Sequence, residues 1–444
     1  MFEALSVLYH ALQESRLMFR ERAALEQHQH KVLAQQLPWV AVHSPATAER
    51  FRRAGLPLSR WRELPPTSKA EMMADFDTLN TEGLHLADVL RVARQAESTR
   101  NFSPTLSGKR GPVAVGLSTG TSGTQGVFVT MAAERLAWAG VVLRHLLPDW
   151  PAGLLRTPPH RIAFLLRADN SLYRSVGSRR LHFHFLDILR PLPELAAELS
   201  AYQPTLLVGP PSVLRSLLEA GASAQPERVV SVAEVLEPDD EAALRAGFGP
   251  VVQVYQATEG LLGLPCPHGK LHLNEAHVHF DFEPLGGGYV RPIVTDLRRR
   301  TQPIIRHRLD DVLLLAQGCT CGLAARRIVS LAGRQDDALL LPNLQGNEIT
   351  IWPDFLRGAM SQVVGLREYR VEQTGPRELR LPLEPLTLDT LQAAQEQVRV
   401  ALSRQKVRID ELTLLVGPLL PAPAGVKQRR VSRSYKPKRS QADA

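Results

Sequence analysis

The feature that most constrains the fold is a series of short, β-branched segments in the middle of the chain. Residues 206–209, 229–232 and 251–254 are such segments, bounded by glycine or proline, which is typical of buried strands. Helical patterns at 212–220 and 239–246 lie between them. Strands that alternate with helices predict an α/β domain with a largely parallel sheet, whose ligands bind in the loops after the strands.

The chain of 444 residues exceeds what one hydrophobic core usually serves, so at least two domains are expected. After Gly333 the pattern changes to short strands around one helix, near 391–402, which predicts a small α+β unit. The predicted organisation is a large multi-layer α/β domain over 1–333, a small mobile α+β lid over 334–435, and a basic disordered tail over 436–444.

The composition is that of an ordinary globular protein, with 44% apolar and 22% charged residues. No apolar run approaches the roughly 18 residues that a membrane helix requires. Glu3 comes early and no basic flank precedes an apolar stretch, so a signal peptide is not expected. These features favour a cytoplasmic protein without a membrane partner.

The net charge of +8 comes almost entirely from the end of the chain. Seven cationic residues lie there without an acid among them: Lys427, Arg429, Arg430, Arg433, Lys436, Lys438 and Arg439. A basic tail can bind nucleic acid. Because Tyr435 is the one aromatic residue among them, a solvated terminus is the preferred interpretation, and a nucleic-acid partner is not expected.

A loop rich in glycine and hydroxyl groups follows the strand-like residues 113–115. Its members are Ser118, Thr119, Gly120, Thr121, Ser122, Gly123 and Thr124. Glycines let the backbone N–H groups approach an anion, and hydroxyls add donors for phosphate oxygens. A flexible linker is the alternative, but linkers rarely lie between an apolar strand and an amphipathic helix such as 135–146. No lysine is present, so this is not the Gly-x-x-x-x-Gly-Lys loop.

Further polar motifs follow later strands. Tyr255 offers a ring for adenine, and Glu259 at a strand end suits Mg²⁺, although a surface turn would look the same. Residues 295–297 and 303–312 place carboxylates where ribose hydroxyls could bind, or else form a charged hairpin with weak ion pairs. Residues 333–337 mark the change of domain, and residues 425–431 end the series with a cationic segment.

In this order the motifs resemble the adenylate-forming superfamily of acyl-CoA ligases, carrier-protein ligases and firefly luciferases. The chain looks most similar to the phenylacetate–CoA ligase branch and its deazaflavin-adenylylating relatives. Residues 64–69 and 207–212 add matches, as do Ala233 and Glu234, so the resemblance spans about 60–433. It implies ATP-dependent activation of a carboxylic acid as acyl-AMP, with release of pyrophosphate, and then transfer to the thiol of CoA or of a phosphopantetheine carrier protein.

The resemblance also implies a role for each motif residue. The loop at 118–126 would hold the β- and γ-phosphates of ATP. Adenine would be bound by Tyr255, Ala233 and Glu234, and the ribose by Asp311. The α-phosphate and Mg²⁺ would be bound by Thr258 and Glu259. A hinge would lie at Arg334 and Asp336, and catalysis would depend on a mobile Lys427, with Arg334 also assigned to the catalytic set.

The sequence departs from the superfamily at Gln256, His307 and Asp310, and in the loop 341–348, which should line the path of pantetheine. Two alternatives therefore stay open. One is an adenylyltransferase or a ligase that uses an amine or hydroxyl acceptor, and the other is a protein that binds a nucleotide or nucleic acid without turnover.

The three cysteines fall in two short segments, Cys266-Pro267-His268 and Cys319-Thr320-Cys321. Four such ligands, Cys266, His268, Cys319 and Cys321, predict a structural zinc site, and the related branch often has one. His272 is a rival fourth ligand, and three buried apolar thiols are the alternative.

Phe183 and Phe185 lie where relatives build the acyl pocket. They suit an aromatic acid, although a buried strand predicts the same residues.

Overall fold

The computed structural model of the protein describes residues 2–117, 126–167, 180–420 and 429–435. These form two compact units. The first unit contains the residues up to 236, 240–309 and 315–329, and the second contains 237–239, 310–314 and the described residues from 330 onward. The α/β fold class is as the sequence predicts.

The helices in the described residues occur in both units. They are α1 (Phe2–Glu14), α2 (Arg22–His43), α3 (Pro45–Ala54), α4 (Lys69–Ala74), α5 (Phe76–Leu79), α6 (Leu86–Thr99), α7 (Ala132–Leu146), α8 (Leu192–Tyr202), α9 (Pro211–Glu219), α10 (Pro238–Gly247), α11 (Pro353–Met360) and α12 (Leu388–Arg404). None of these helices is both long and apolar enough to cross a membrane.

The first unit contains two complete sheets and most strands of a third. An antiparallel sheet is formed by β1 (Thr105–Gly108), β2 (Gly111–Leu117) and β3 (Val127–Met131). A parallel sheet has the order β5-β4-β6-β7-β8, from β4 (His160–Leu166), β5 (Leu181–Asp187), β6 (Leu206–Gly209), β7 (Arg228–Ser231) and β8 (Val251–Gln253).

The third sheet has eight strands and is mainly antiparallel. It contains β9 (Tyr255–Ala257), β10 (Gly260–Pro265), β11 (Leu271–Leu273), β12 (Val278–Gly286), β13 (Tyr289–Asp296), β14 (His307–Arg308), β15 (Asp311–Ala316) and β16 (Arg327–Arg334). Strands β15 and β16 include residues of both units.

The parallel sheet is apolar on both faces because helices cover both. Ile162 and Phe164 of β4 pack in one core cluster with residues of α1 and α7. Ala163 and Leu165, which point the other way, pack with residues of α8, α9 and α10. This burial explains the near-continuous apolar runs of these strands in the sequence, and it leaves the strand ends as the places for polar groups.

Capping residues in the local sequence determine where helices begin and end. Ser44 caps α3 by accepting from the backbone of Thr47, and Gly55 ends that helix at a φ of 62°. Ser68 and Glu71 form a reciprocal capping box at the start of α4.

The second unit has a core of its own. Its larger sheet contains β19 (Glu368–Tyr369), β20 (Val371–Gly375), β21 (Glu378–Glu384), β22 (Thr413–Pro418) and β23 (Val431–Arg433). A hairpin is formed by β17 (Leu339–Pro342) and β18 (Glu348–Ile351). Leu356 of α11 and Val398 of α12 are buried in the same cluster as the strands, which makes this unit a compact α+β fold.

A buried carboxylate connects α1 to the rest of the first unit. Glu14 is 3% exposed, and its carboxylate oxygens lie 2.6 Å from Nε2 of His277 and 3.2 Å from Nε2 of His145. Burial by itself would raise the pKa of Glu14, but His277 and His145 outweigh it and hold that pKa well below its usual range. The folded state therefore favours the ionised carboxylate.

Replacing this carboxylate should destabilise the first unit. We expect Glu14→Gln to lower the free energy of unfolding by about 1–3 kcal/mol in urea titrations at pH 7. The difference from wild type should shrink progressively as the pH falls below about 4, because the unfolded state then binds a proton at this carboxyl group while the folded state still holds it ionised. Glu3→Gln, at an exposed position of the same helix, is the control. A Glu14→Gln protein as stable as the control would contradict this role.

Candidate nucleotide-binding site and metal centre

The loop after β7 contains two of the residues predicted to bind adenine. Ala233 has a φ of 68°, a left-handed conformation that is uncommon for alanine. Oε2 of Glu234 lies 3.3 Å from the backbone nitrogen of Ser212, near the start of α9. Both residues thus lie at the carboxyl edge of the parallel sheet, where open α/β sheets bind their ligands.

The second predicted motif lies at the turn between β9 and β10. Tyr255 is buried in β9, and Thr258 and Glu259 form the turn that follows it. Glu259 is 8% exposed, and its Oε1 lies 3.6 Å from Nε2 of His307. This distance is too long for a hydrogen bond, and the contact becomes an ion pair only when the imidazole is protonated. The segment 255–259 therefore combines an aromatic ring, a hydroxyl and a buried carboxylate.

His307 is held in place by its backbone on two sides. It pairs with Val294 of β13, and it forms a parallel bridge with Thr67. The amide of Thr67 donates to the carbonyl of Arg306 at 2.8 Å, and the amide of Arg308 donates to the carbonyl of Thr67 at 2.8 Å. The sequence identified His307 only as a departure from the superfamily pattern, and its contact with Glu259 is apparent only from the structure.

The predicted ribose and hinge residues lie together in the second unit. Nε of Arg334 lies 3.8 Å from Oδ1 of Asp311, at the ends of β16 and β15. Gly333, just before Arg334, has a φ of 114°, which favours glycine. Asp336 lies in the short turn that follows, and its neighbour Asp337 contacts Arg429 at 2.9 Å.

Burial raises the pKa of Asp337, while Arg429 and Arg334 act against that rise. The turn after β16 thus places acidic and basic side chains in contact within this unit.

Two predicted elements lie outside the described residues. They are the loop with Ser118, Thr119, Gly120, Thr121, Ser122, Gly123 and Thr124, and the segment with Lys427. The described strands on either side of the loop, β2 and β3, pair in antiparallel register with Leu117 opposite Val127. The tail at 436–444 is also outside the described residues.

Phe183 and Phe185 of β5 are partly buried against the core cluster shared by α1 and α7. The ring of Phe183 stacks on that of Phe164, with centroids 5.7 Å apart. This packing is what a buried strand predicts, and it gives no support to an aromatic substrate.

The three cysteines meet one histidine in the first unit. The ligand atoms of Cys266, His272, Cys319 and Cys321 all lie within 4.8 Å of one another. Sγ of Cys321 is 3.6 Å from Nε2 of His272. In a tetrahedral zinc site the ligand atoms are roughly 3.3–3.8 Å apart, which follows from Zn–S and Zn–N bonds of about 2.3 and 2.0 Å. The group could therefore close around one zinc ion with little movement.

The fourth member of this cluster is His272 rather than His268. Within the described residues, Nδ1 of His268 lies 2.9 Å from Oγ1 of Thr320, outside the cluster. Nδ1 of His272 lies 2.8 Å from the carbonyl of Ala325, which leaves Nε2 for the sulfur atoms. The structure thus brings His272, the rival that the sequence also offered, into the cluster and leaves the predicted His268 outside it.

The two close thiols differ in acidity. The backbone amide of Cys321 lowers the pKa of Cys319 to about 6, and His272 acts in the same direction. Burial raises the pKa of Cys321. Thiolates are the forms that bind metal, so Cys319 is already favoured as a ligand.

One buried residue at the site was missed from the sequence. Arg299 donates from Nη1 to the carbonyl of Thr258 at 2.8 Å, although it lies in a run of three arginines that reads as a solvated charged loop. No local pattern in the sequence distinguishes Arg299 from its two neighbours.

No protein-family model matches the sequence, and no curated protein matches it either. Solved structures do match. The chain is similar to 2-hydroxyisobutyryl-CoA ligase in its postadenylation state in complex with R3-HIB-AMP, with a TM-score of 0.64, 17% identity, and coverage of 90% of this chain and 88% of that one.

An open conformation of the same ligase, in complex with 2-HIB-AMP and CoA, matches with a TM-score of 0.56 at 17% identity, over 90% of each chain. The GH3.15 acyl acid amido synthetase matches with a TM-score of 0.57 at 13% identity, over 91% of this chain and 88% of that one. The chain therefore has the fold of these acid ligases and synthetases, as the resemblance in its motifs predicts.

Proposed function

We propose that the protein activates a carboxylic acid with ATP. A carboxylate oxygen attacks the α-phosphorus, the bond to the bridging oxygen breaks, and pyrophosphate leaves an acyl-AMP behind. A thiol of CoA or of a carrier protein then attacks the acyl carbon, and AMP leaves. The observation that carries this proposal is the segment from Tyr255 to Glu259, whose two end residues are buried, in a fold that matches a ligase solved with R3-HIB-AMP over 90% of this chain.

In this proposal, different side chains bind different parts of the nucleotide. Tyr255 would contact adenine beside Ala233 and Glu234, and Asp311 would accept hydrogen bonds from the ribose. Thr258 and Glu259 would hold the α-phosphate and Mg²⁺, since a carboxylate oxygen is the hard ligand that Mg²⁺ prefers. Bound Mg²⁺ would offset negative charge on the phosphate oxygens. The loop of Ser118–Thr124 would supply hydroxyl and N–H donors to the other phosphates.

The second unit would act as a lid that turns at Arg334 and Asp336. A glycine with positive φ directly before them, Gly333, suits a position where the backbone changes direction. Lys427, near the end of this unit in sequence, would reach the phosphate and carboxylate oxygens when the lid closes. Two anions meet in the reaction, so a cation at this point stabilises the transition state more than the bound ATP.

Removal of this lysine tests the adenylation step. We expect Lys427→Ala to lower acyl-AMP formation by about two orders of magnitude or more while ATP affinity stays within about twofold, because the lysine acts mainly in the transition state. Acyl-AMP is measured by mass spectrometry after incubation with Mg·ATP and a panel of acids. Lys436→Ala, in the same basic stretch, is the matched control. Equal yields from the two variants would remove Lys427 from the mechanism.

We propose further that Cys266, His272, Cys319 and Cys321 hold a structural zinc ion. Four protein ligands leave no open position for catalysis, so the ion would act on stability. The site would join the segment at 319–321 to the hairpin of β10 and β11, whose turn contains Cys266. The amide of Ala324, three residues after this segment, donates to the carbonyl of Phe19 at 2.9 Å, so the following residues also contact the N-terminal region.

Two histidine variants test this assignment against each other. We expect protein purified without chelators to contain about one zinc per chain, and His272→Ala to lose most of it, whereas His268→Ala should keep it. Zinc is measured by plasma emission spectrometry and unfolding by calorimetry. Wild-type protein free of zinc, or loss of zinc in His268→Ala alone, would contradict the assignment.

A specific observation favours a dedicated acceptor over free CoA. The turn between β17 and β18 is closed by its own hydrogen bonds, since Oδ1 of Asn343 accepts from the amides of Gln345 and Asn347, both at 2.9 Å. Arg408 also donates to the carbonyl of Leu344 at 2.7 Å. Together with Pro342, which has no N–H, this gives a rigid polar turn in the loop that the resemblance assigns to pantetheine.

Discharge of a preformed acyl-AMP distinguishes the acceptors. We expect free CoA to consume it at least about tenfold more slowly than it forms, because the turn at 343–347 restricts the path of pantetheine. A carrier-protein thiol, an amine or a hydroxyl compound should be faster, and the basic tail would favour an acidic carrier. Single-turnover decay is followed with and without CoA. Discharge by CoA as fast as adenylation would identify an ordinary acyl-CoA ligase.

A further inference from the structure

Arg299 has the largest side chain among the most deeply buried of the described residues, and it is 2% exposed. Its Nη1 donates to the carbonyl of Thr258 and its Nη2 to Oε1 of Gln302, each at 2.8 Å. Both acceptors are neutral, and no ion pair of Arg299 occurs among the described residues. A guanidinium that is buried in this way is costly, so it is expected to have a function other than stability.

Gln302 extends the contact to another part of the chain. It is completely buried, and its Oε1 also accepts from the amide of Val129 at 3.2 Å. Its Nε2 donates to the carbonyl of Val127 at 3.4 Å. Both valines belong to β3, which begins at Val127. Two side chains, which we name the Arg299–Gln302 bridge, thus join the start of β3 to the turn of Thr258.

The loop that contains the bridge is fixed by two carboxylates. Oδ1 of Asp296 accepts from the amides of Arg298 and Arg299, both at 2.8 Å. Oε1 of Glu134, on α7, accepts from the amides of Arg300 at 2.6 Å and of Thr301 at 2.8 Å. The backbone that carries the Arg299 side chain is therefore held in place by these hydrogen bonds.

The ring of Trp138 lies 6.0 Å from the guanidinium carbon of Arg299, and this contact adds a further constraint on its orientation. Burial lowers the pKa of Arg299, while Glu134, Asp296 and Glu259 act against that change. Since an arginine side chain keeps its proton in proteins, a positive charge remains fixed behind the turn.

We propose that Arg299 and Gln302 are positioning residues, which set the turn of Thr258 and Glu259 relative to the hairpin of β2 and β3. That turn contains the residues proposed for the α-phosphate and Mg²⁺. The bridge would hold the turn in a fixed position relative to β3 while the α-phosphate binds. This role in nucleotide binding rests on the proposed function, whereas the bridge itself does not.

The first part of the test needs no substrate. Hydrogen–deuterium exchange is measured on the complete protein for wild type, Arg299→Met, Gln302→Met and the control Arg298→Met. Arg298 is the neighbouring arginine, and among the described residues its side chain donates no hydrogen bond to the turn of Thr258 or to β3. We expect both bridge variants to exchange about tenfold faster in the peptides that cover 127–131 and 255–262, and the control to match wild type. If the exchange rate changes in neither segment, the Arg299–Gln302 bridge does not connect them.

The second part measures the dependence of acyl-AMP formation on Mg·ATP. We expect the bridge variants to require about 10–100-fold more Mg·ATP for half-maximal rate, or to lose a comparable factor in kcat, with KM for the acid within about twofold of wild type. Arg299→Lys, which keeps the charge and one donor, should recover part of the loss, and it replaces Arg299→Met if that variant does not fold. Faster exchange without any kinetic change would overturn the positioning role.

An inactive wild-type protein would count against the proposed function alone. The exchange measurement would then still decide whether the bridge exists.

Discussion

A parallel sheet covered on both faces determines where this protein can place its chemistry. The strands β4, β6 and β7 have apolar side chains toward α1 and α7 on one face and toward α8, α9 and α10 on the other. Polar groups in such a sheet are tolerated only where the strands end. The loop of Ala233 follows β7 of this sheet and the turn of Thr258 follows β9, so two of the motifs predicted to contact the nucleotide lie where strands end.

Buried charges in the first unit are held by fixed hydrogen-bond partners. Glu14 is placed between two histidines, and Asp296 accepts from two backbone amides. Arg299 is different, because its two acceptors are a backbone carbonyl and an amide oxygen. Neutral acceptors hold a guanidinium in place without cancelling its charge. Such a residue suits a position behind a loop that is proposed to receive an anionic phosphate.

The sequence predicts those parts of the fold that depend on local patterns. The strands at 206–209 and 229–231 follow from short β-branched runs, and the change to an α+β pattern follows from the segments beyond 340. The Tyr255 to Glu259 motif is recognisable because its residues are consecutive. Burial of Arg299 is not recognisable, because it depends on Gln302, on Trp138 and on β3, which are brought together only by the tertiary fold.

Which histidine joins the cysteine cluster, His268 or His272, also depends on tertiary contacts. His268 is closer in sequence to Cys266, and so local spacing favours it. Strand pairing decides otherwise, because β11 pairs with β16 through His272 and Arg327 and brings His272 to the segment of Cys319 and Cys321. Long-range register of this kind leaves no signal in a single sequence.

The proposed activity requires that the protein bind ATP and join its AMP part to a carboxylic acid. The most direct measurement is acid-dependent exchange of labelled pyrophosphate into ATP, catalysed by the wild-type protein with Mg²⁺ and a broad panel of carboxylic acids. We expect exchange that requires both Mg²⁺ and one class of acid and is absent without them. ATP that binds, but exchanges no pyrophosphate with any acid, would contradict it.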